Sequence, residues 1–316
     1  MIIDQLSSLP KARLLAVGIA GVLVTSAAYG PYAAPTATAQ AAVASQTIRV
    51  GLATAPPTDW RTLSARLGGV SVRRSYSTTP TGAPPSTYVA SAAGIDPSLG
   101  ATTSVASFKS DPIKTAQGAY DSQLKSLAKS SPAGTNWVYW HEPEGPTDMP
   151  GATDAARAGV FTAAAYHVVT TMKAANPRLV FGVVFTRGLW GPAAGHDPIR
   201  WTSYKGRALP VDFIGVDGYN SYGINGRPWA SPETVYQRPL DWIDANRGGW
   251  DKQVTELGST TDPSNPARRA QWITNAYRYL NSRNVTIASY WSSNAYDIQH
   301  DALAIAALRS INTSGH

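Results

Sequence analysis

Residues 136–145 read NWVYWHEPEG, residues 153–175 read TDAARAGVFTAAAYHVVTTMKAA, and residues 178–186 read RLVFGVVFT. The first is an aromatic and apolar run entered from Pro132-Ala-Gly. The second is a long Ala-rich helix closed by Asn176-Pro177. The third is almost wholly apolar. Together they make one strand–helix–strand unit whose strands show no polar alternation. Such strands are buried on both faces, which points to a parallel sheet covered by helices.

The same rhythm extends in both directions. Thr47–Thr54, Val70–Tyr76 and Ser104–Lys109 read as strands before this unit, and Asp111–Ser130 as a helix. After it, Phe213–Val216, Gln253–Leu257 and Val285–Trp291 read as strands. Ser231-Pro232-Glu233 opens a helix with Pro in its first turn. Pro266–Arg283 and Asp301–Ile311 read as two more. Eight strands interleaved with helices predict one α/β domain over residues 45–316, a single (β/α)8 TIM barrel. An open doubly wound sheet is the alternative. No strand runs into a Gly-rich nucleotide-binding turn, which argues against it.

The first 44 residues read differently. Lys11 and Arg13 precede an apolar run from Leu14 to Val24, and Ala39-Gln40-Ala41 and Ala42-Val43-Ala44 offer small-residue cleavage sites. This is the pattern of a secretory signal peptide over residues 1–44. Its apolar core is short of the ~20 residues of a spanning helix, so stable membrane insertion after cleavage is not expected. An uncleaved anchor is the alternative. The protein is expected to be extracellular and monomeric.

Composition closes off several classes. With no Cys in 316 residues, there is no thiol nucleophile, disulfide or Cys-ligated metal. The net charge of +7 comes from scattered basic residues, with no run longer than two. That argues against nucleic acid and leaves room for attraction to an acidic wall polymer.

Function in a barrel sits at the carboxyl ends of its strands. The fourth strand ends in Trp140-His141-Glu142-Pro143-Glu144-Gly145, and the seventh in Thr255-Glu256-Leu257-Gly258. The sixth ends in Asp217-Gly218-Tyr219-Asn220, and the eighth in Tyr290-Trp291-Ser292. A Glu directly after an apolar strand is costly unless it is paired or used. Strands four and seven face each other across the mouth. Two carboxyls so placed suit glycoside hydrolysis, one as proton donor and one as support for the oxocarbenium-like centre. Asp217, Trp140 and Trp190 join them as candidate substrate contacts, since sugar clefts use aromatic faces.

These residues resemble clan A of the glycoside hydrolases, whose retaining (β/α)8 enzymes carry the acid/base on strand four and the nucleophile on strand seven. Within the clan the chain is most similar to family 26, which holds β-mannanases and some glucanases and xylanases. His141-Glu142, Asp212–Tyr219 (DFIGVDGY) and Thr255–Gly258 (TELG) carry the likeness. Pro143 after the acid is a departure, shared with clan families that have Asn-Glu-Pro. The resemblance implies Glu142 as general acid/base and Glu256 as nucleophile. It implies His141 at the −1 sugar, Tyr219 as a donor to Glu256, and Trp291 as the floor under that sugar. Arg74 would reach a sugar hydroxyl or Glu256. The expected partner is a polysaccharide or oligosaccharide, with no cofactor.

Other features have plainer readings. Glu144 reads as a loop carboxylate capping a helix, and His167 as an ordinary helix residue. His196 and Asp197 read as surface loop, and Trp242, Trp250 and Trp272 as core. Trp229 stands between core and cleft. His141, Glu142 and Glu144 lack the spacing of a metal motif. Two rivals to an enzyme stand beside this reading: a carbohydrate-binding barrel without turnover, and a cell-envelope protein held by an uncleaved leader.

Overall fold

The computed structural model describes residues 47–76, 84–85, 101–145, 148–191 and 195–314, all within the unit Ala44–His316. The leader read over residues 1–44 lies outside them. Eight parallel strands close into a barrel: β1 (Arg49–Thr54), β2 (Val72–Tyr76), β3 (Thr103–Phe108), β4 (Thr135–His141), β5 (Val180–Thr186), β6 (Phe213–Asn220), β7 (Asp251–Ser259) and β8 (Val285–Ser292). β1 pairs with both β2 and β8, which completes the ring. Each expected strand is present within a few residues of its predicted bounds. A two-stranded hairpin, Ser203–Tyr204 with Arg207–Ala208, sits between β5 and β6.

Helices cover the outside. They are α1 (Trp60–Arg66), α2 (Pro112–Ala116), α3 (Asp121–Ser130), α4 (Asp154–Ala175), α5 (Pro198–Trp201), α6 (Pro232–Arg247), α7 (Ala267–Ser282) and α8 (Ala302–Ser314). Their ends follow from local chemistry. Thr153 caps α4 by accepting from the Ala156 N–H, and Ser231 caps α6 by accepting from Thr234. The single helix expected over 111–130 is two, because Gly118 adopts φ +81° and turns the chain. α1 was not anticipated; Asp59 caps it at the Thr62 N–H. Among the described residues no helix is long and apolar enough to cross a membrane.

Two apolar clusters hold these layers. The larger lies between strands and helices, with Phe161, Val168 and Met172 of α4 packed among Trp137, Tyr139, Phe181 and Phe185. The smaller is Val72, Val105, Val138, Val184, Phe213 and Ile287, one residue from each of six strands. In a closed ring that set is the barrel interior. Small residues make room for it. A Cβ on Gly182 would stand 2.2 Å from the Phe213 ring, and one on Gly51 would stand 2.2 Å from the Ser289 hydroxyl. Phe213 therefore fills the space that β5 leaves open.

Gly182→Ala should overpack this layer and cost about 1–3 kcal/mol. Urea denaturation measures it. An unchanged midpoint would mean that Phe213 has room to swing aside.

Candidate active site

Two β-bulges aim the candidate acids. Along β6 and β7, Gly215 faces Gln253 while Asp217 faces Glu256, so β7 carries an extra residue. β8 sees the same interruption between Val254 and Leu257. Thr255 and Glu256 thereby both reach the interior side: Thr255 donates to Asp217 Oδ1, and Glu256 meets donors from three other strands. β4 has its own bulge, with Val138 facing Gly182 and His141 facing Val184. There Trp140 and Glu142 take φ +59° and +51°. For bulky non-glycine residues that conformation costs on the order of 1–3 kcal/mol each. The Glu142 N–H still donates to the Val184 carbonyl at 3.1 Å, which pins the distorted turn to β5.

The bulges bring Glu142 and Glu256 together. His141, Glu142, Asp217 and Glu256 each present one atom within 4.8 Å of the others. Glu256 is 5% exposed, and each of its oxygens meets at least one donor. The Tyr76 hydroxyl donates to Oε1, and the Tyr219 hydroxyl donates to Oε2. His141 Nε2 lies 3.2 Å from Oε1.

The tautomer of His141 follows from its neighbours. Arg74 Nη2 stands 3.0 Å from Nδ1, and a guanidinium only donates. Nδ1 therefore accepts, and the ring proton sits on Nε2, directed at Glu256. Arg74 is itself fully buried and fixed by the Ser75 and Val105 carbonyls. Its expected bond to Glu256 or to a sugar is replaced by this hold on His141. Its plane also lies 4.3 Å over the Tyr76 ring, so it supports two of the donors to Glu256.

The two carboxyls differ in charge. Burial pushes the Glu142 pKa up to about 7, with the nearby negative charges of Glu256 and Glu144 adding to it. Burial would raise Glu256 too. His141 and Arg74, with the hydrogen bond from Tyr219, overcome it and hold Glu256 at about 2. At neutral pH Glu256 is an anion, and Glu142 holds its proton far more readily than Glu256 does. Asp217, 1% exposed, is driven well above the usual carboxylate range by burial and by both glutamates. Its Oδ2 sits 3.3 Å from His141 Nδ1, the nitrogen that Arg74 holds. Burial and the Glu256 charge also hold the Tyr76 and Tyr219 hydroxyls protonated, as donors must be.

This four-residue cluster has the composition of a cation site. Its lone pairs, however, face hydrogen-bond donors: both Glu256 oxygens, one Asp217 oxygen and His141 Nδ1 are occupied by hydroxyl, imidazole or guanidinium N–H and O–H groups. The donor set is organised around protons.

The other expected residues divide. Trp291 is half-buried at the mouth, edge-on to Tyr76 at 5.7 Å. Trp140 and Trp190, expected in the cleft, are 4% and 3% exposed and belong to the core. Trp140 packs on Tyr139, and Trp190 on Phe185 and Trp242. Glu144 is no helix cap: it is buried, accepts from the Thr186 N–H at 2.6 Å, and burial raises its pKa to about 7. His196 is tied to Asp154 and His167 to Asp121. Trp229 packs against the core with Arg268 stacked over it at 4.1 Å. Tyr76, absent from the sequence reading, completes the shell around Glu256.

From Glu142 and Asp217 a cleft of about 700 Å³ runs over the ends of β5 and β6. Tyr219, Thr186, Arg187 and Arg227 line it.

No family model matches the sequence, and no curated protein matches it. Solved structures do. A glucosidase from Croceicoccus marinus superposes with a TM-score of 0.56 at 15% identity, over 85% of this chain and 68% of that one. A GH5-4 broad-specificity endoglucanase from an uncultured bacterium gives 0.57 at 12%, over 84% and 93%. A ruminal GH26 endo-β-1,4-mannanase gives 0.50 at 14%, over 85% and 64%. This chain thus spans about two thirds of the length of the glucosidase and the mannanase. At such identities the likeness is one of fold.

Proposed function

We propose that the protein is a retaining glycoside hydrolase acting on a β-linked glycan. The observation that carries this is the meeting of Glu142 and Glu256 in one cluster whose nearest polar atoms lie within 4.8 Å, and burial raising Glu142 while donors lower Glu256 fits an acid beside a nucleophile. Retaining enzymes hold their carboxyls ~5–5.5 Å apart, and inverting ones leave ~6.5–9.5 Å for a water. A nearest approach within 4.8 Å accords with the closer spacing.

The reaction proceeds in two displacements. Glu142 gives its proton to the glycosidic oxygen while a Glu256 oxygen attacks the anomeric carbon. The bond from that carbon to the leaving oxygen breaks, and a glycosyl ester on Glu256 forms. Esterification removes the Glu256 charge, so the Glu142 pKa falls and its carboxylate takes a proton from water. The water oxygen bonds to the anomeric carbon, and Glu256 departs as the carboxylate. Tyr76, Tyr219 and His141 receive the returning charge. Trp291 supplies an apolar face beside the reacting sugar.

The open cleft supports endo action on a polymer. The leader pattern supports release from the cell as a monomeric extracellular enzyme, and the N-terminus of the exported protein, read by mass spectrometry, tests it. Cleavage at or near Ala44 is the expected result.

The chemistry is tested by reducing-end release from mannan, mixed-linkage glucan, β-1,3-glucan, xylan and arabinogalactan. Glu256→Gln should lower kcat by about 10³-fold or more, as loss of an entire nucleophile does. Glu142→Gln should spare substrates with good leaving groups in the first step, and azide should rescue it as a glycosyl azide. Equal activity of Glu256→Gln and the parent would remove this assignment.

The pH profile gives a second test. Glu142 must be protonated and Glu256 ionised, so kcat/KM should be flat below about 7 down to about 2 and fall tenfold per pH unit above 7. Glu144 raises Glu142 when ionised, so Glu144→Gln should move the alkaline limb to lower pH. A limb that moves up or stays fixed would sever that coupling.

A further inference from the structure

The cleft beside Glu142 is charged in a way that glycosidic chemistry does not require. Its acids are Glu142 and Asp217, which belong to the catalytic cluster. Its cations are Arg187, in the turn after β5, and Arg227, in the loop after β6. Among the described residues neither guanidinium has an ion pair or side-chain hydrogen bond. This contrasts with Arg74, Arg247, Arg268, Arg269 and Arg283, which are each fastened to a carbonyl, hydroxyl or carboxylate. β5 and β6 are neighbours in the barrel, so both arginines lie on one side of Glu142, away from the Tyr76 and Trp291 side. Hydroxyls of Thr186, Ser221 and Thr234 line the same space.

An arginine fork matches a carboxylate or a phosphate with two parallel hydrogen bonds. Two forks left open in a polar cleft leave positive potential where a substrate chain would lie, and low-dielectric walls focus it. A neutral sugar makes poor use of this, because hydroxyls return little to a guanidinium that water already satisfies. The protein's overall +7 charge favours the same encounter.

We propose that the β5–β6 side of the cleft is a subsite for an anionic substituent, so that the substrate is an acidic glycan bearing a sugar carboxylate or a phosphate ester. This rests on the glycosidase reading for its substrate class, and on Arg187 and Arg227 for its charge.

Calorimetric titration of the full-length Glu256→Gln protein tests it at low ionic strength. The probes are two matched pairs: glucuronosyl-xylotriose against xylotetraose, and mannotriose 6-phosphate against mannotriose. One anionic member should bind about tenfold tighter than its neutral partner or better, and the gain should shrink as salt rises. A gain in the first pair identifies a carboxylate, and in the second a phosphate. Adding Arg187→Gln with Arg227→Gln should bring the ratio to about one, with an unchanged melting temperature showing that the barrel is intact. Equal binding within both pairs, or a preference that survives the double substitution, would overturn the proposal. Hydrolysis by the parent protein separates the two readings. Anionic preference without hydrolysis keeps this subsite and removes the enzyme, while hydrolysis of neutral glycans without preference does the reverse.

Discussion

A full negative charge on Glu256, in a place that water scarcely reaches, is the constraint around which the mouth of this barrel is built. An isolated buried carboxylate would take up a proton rather than bear the desolvation. Glu256 stays ionised because Tyr76 comes from β2, His141 from β4 and Tyr219 from β6, and all three point a proton at it. Three strands must therefore end at one height and face one point. Arg74, a layer deeper, keeps two of these donors in orientation while adding positive charge. The closed ring lets side chains from β2, β4 and β6 converge on one carboxyl of β7.

The cost of that convergence is visible in the backbone. A regular strand alternates inward and outward side chains, so successive residues cannot both line the interior. At Thr255-Glu256 a bulge breaks this rule, giving Asp217 a hydroxyl partner and the centre its anion from adjacent positions. At Trp140-His141-Glu142 the bulge is sharper, with two bulky residues at positive φ. Trp140 is sent into the core, while His141 and Glu142 are left facing the cleft. Such strain persists where packing around it leaves no alternative. Here the buried Trp140 ring, the Glu142 to Val184 hydrogen bond and the Glu144 to Thr186 hydrogen bond supply that packing.

The same bulges explain what the sequence disclosed and what it concealed. Strand and helix positions were legible because unbroken apolar runs and capping residues are local signals. Glu142 and Glu256 were legible because a carboxylate at the end of an apolar strand is anomalous wherever it points. Trp140 and Trp190 were misplaced for the converse reason. Nearness to a strand end fixes their height in the barrel, but their direction depends on a bulge and a turn that composition does not mark. Tyr76 left no signal of its own, since a Tyr closing a half-buried strand is commonplace. Its role exists only once β2 and β7 are brought into one ring. Gly118 is a local signal too, since a glycine can take the φ of +81° that separates α2 from α3.

Burial acts on both glutamates in the same direction, and it is the donors that separate them. Glu256 meets hydroxyl and imidazole protons, with the Arg74 charge behind them. Glu142, with 31% of its side chain exposed, has no such set and feels Glu256 and Glu144 as neighbouring negative charge. The proton in this cluster therefore has a fixed preference for Glu142. The asymmetry does not belong to the residue type, since both are Glu, nor to depth, since the deeper one is the stronger acid. It comes from hydrogen-bond supply, and the supply is set by which strands neighbour each carboxyl in the closed sheet. Any change that altered strand register, even far from the mouth, would redistribute these donors and with them the proton.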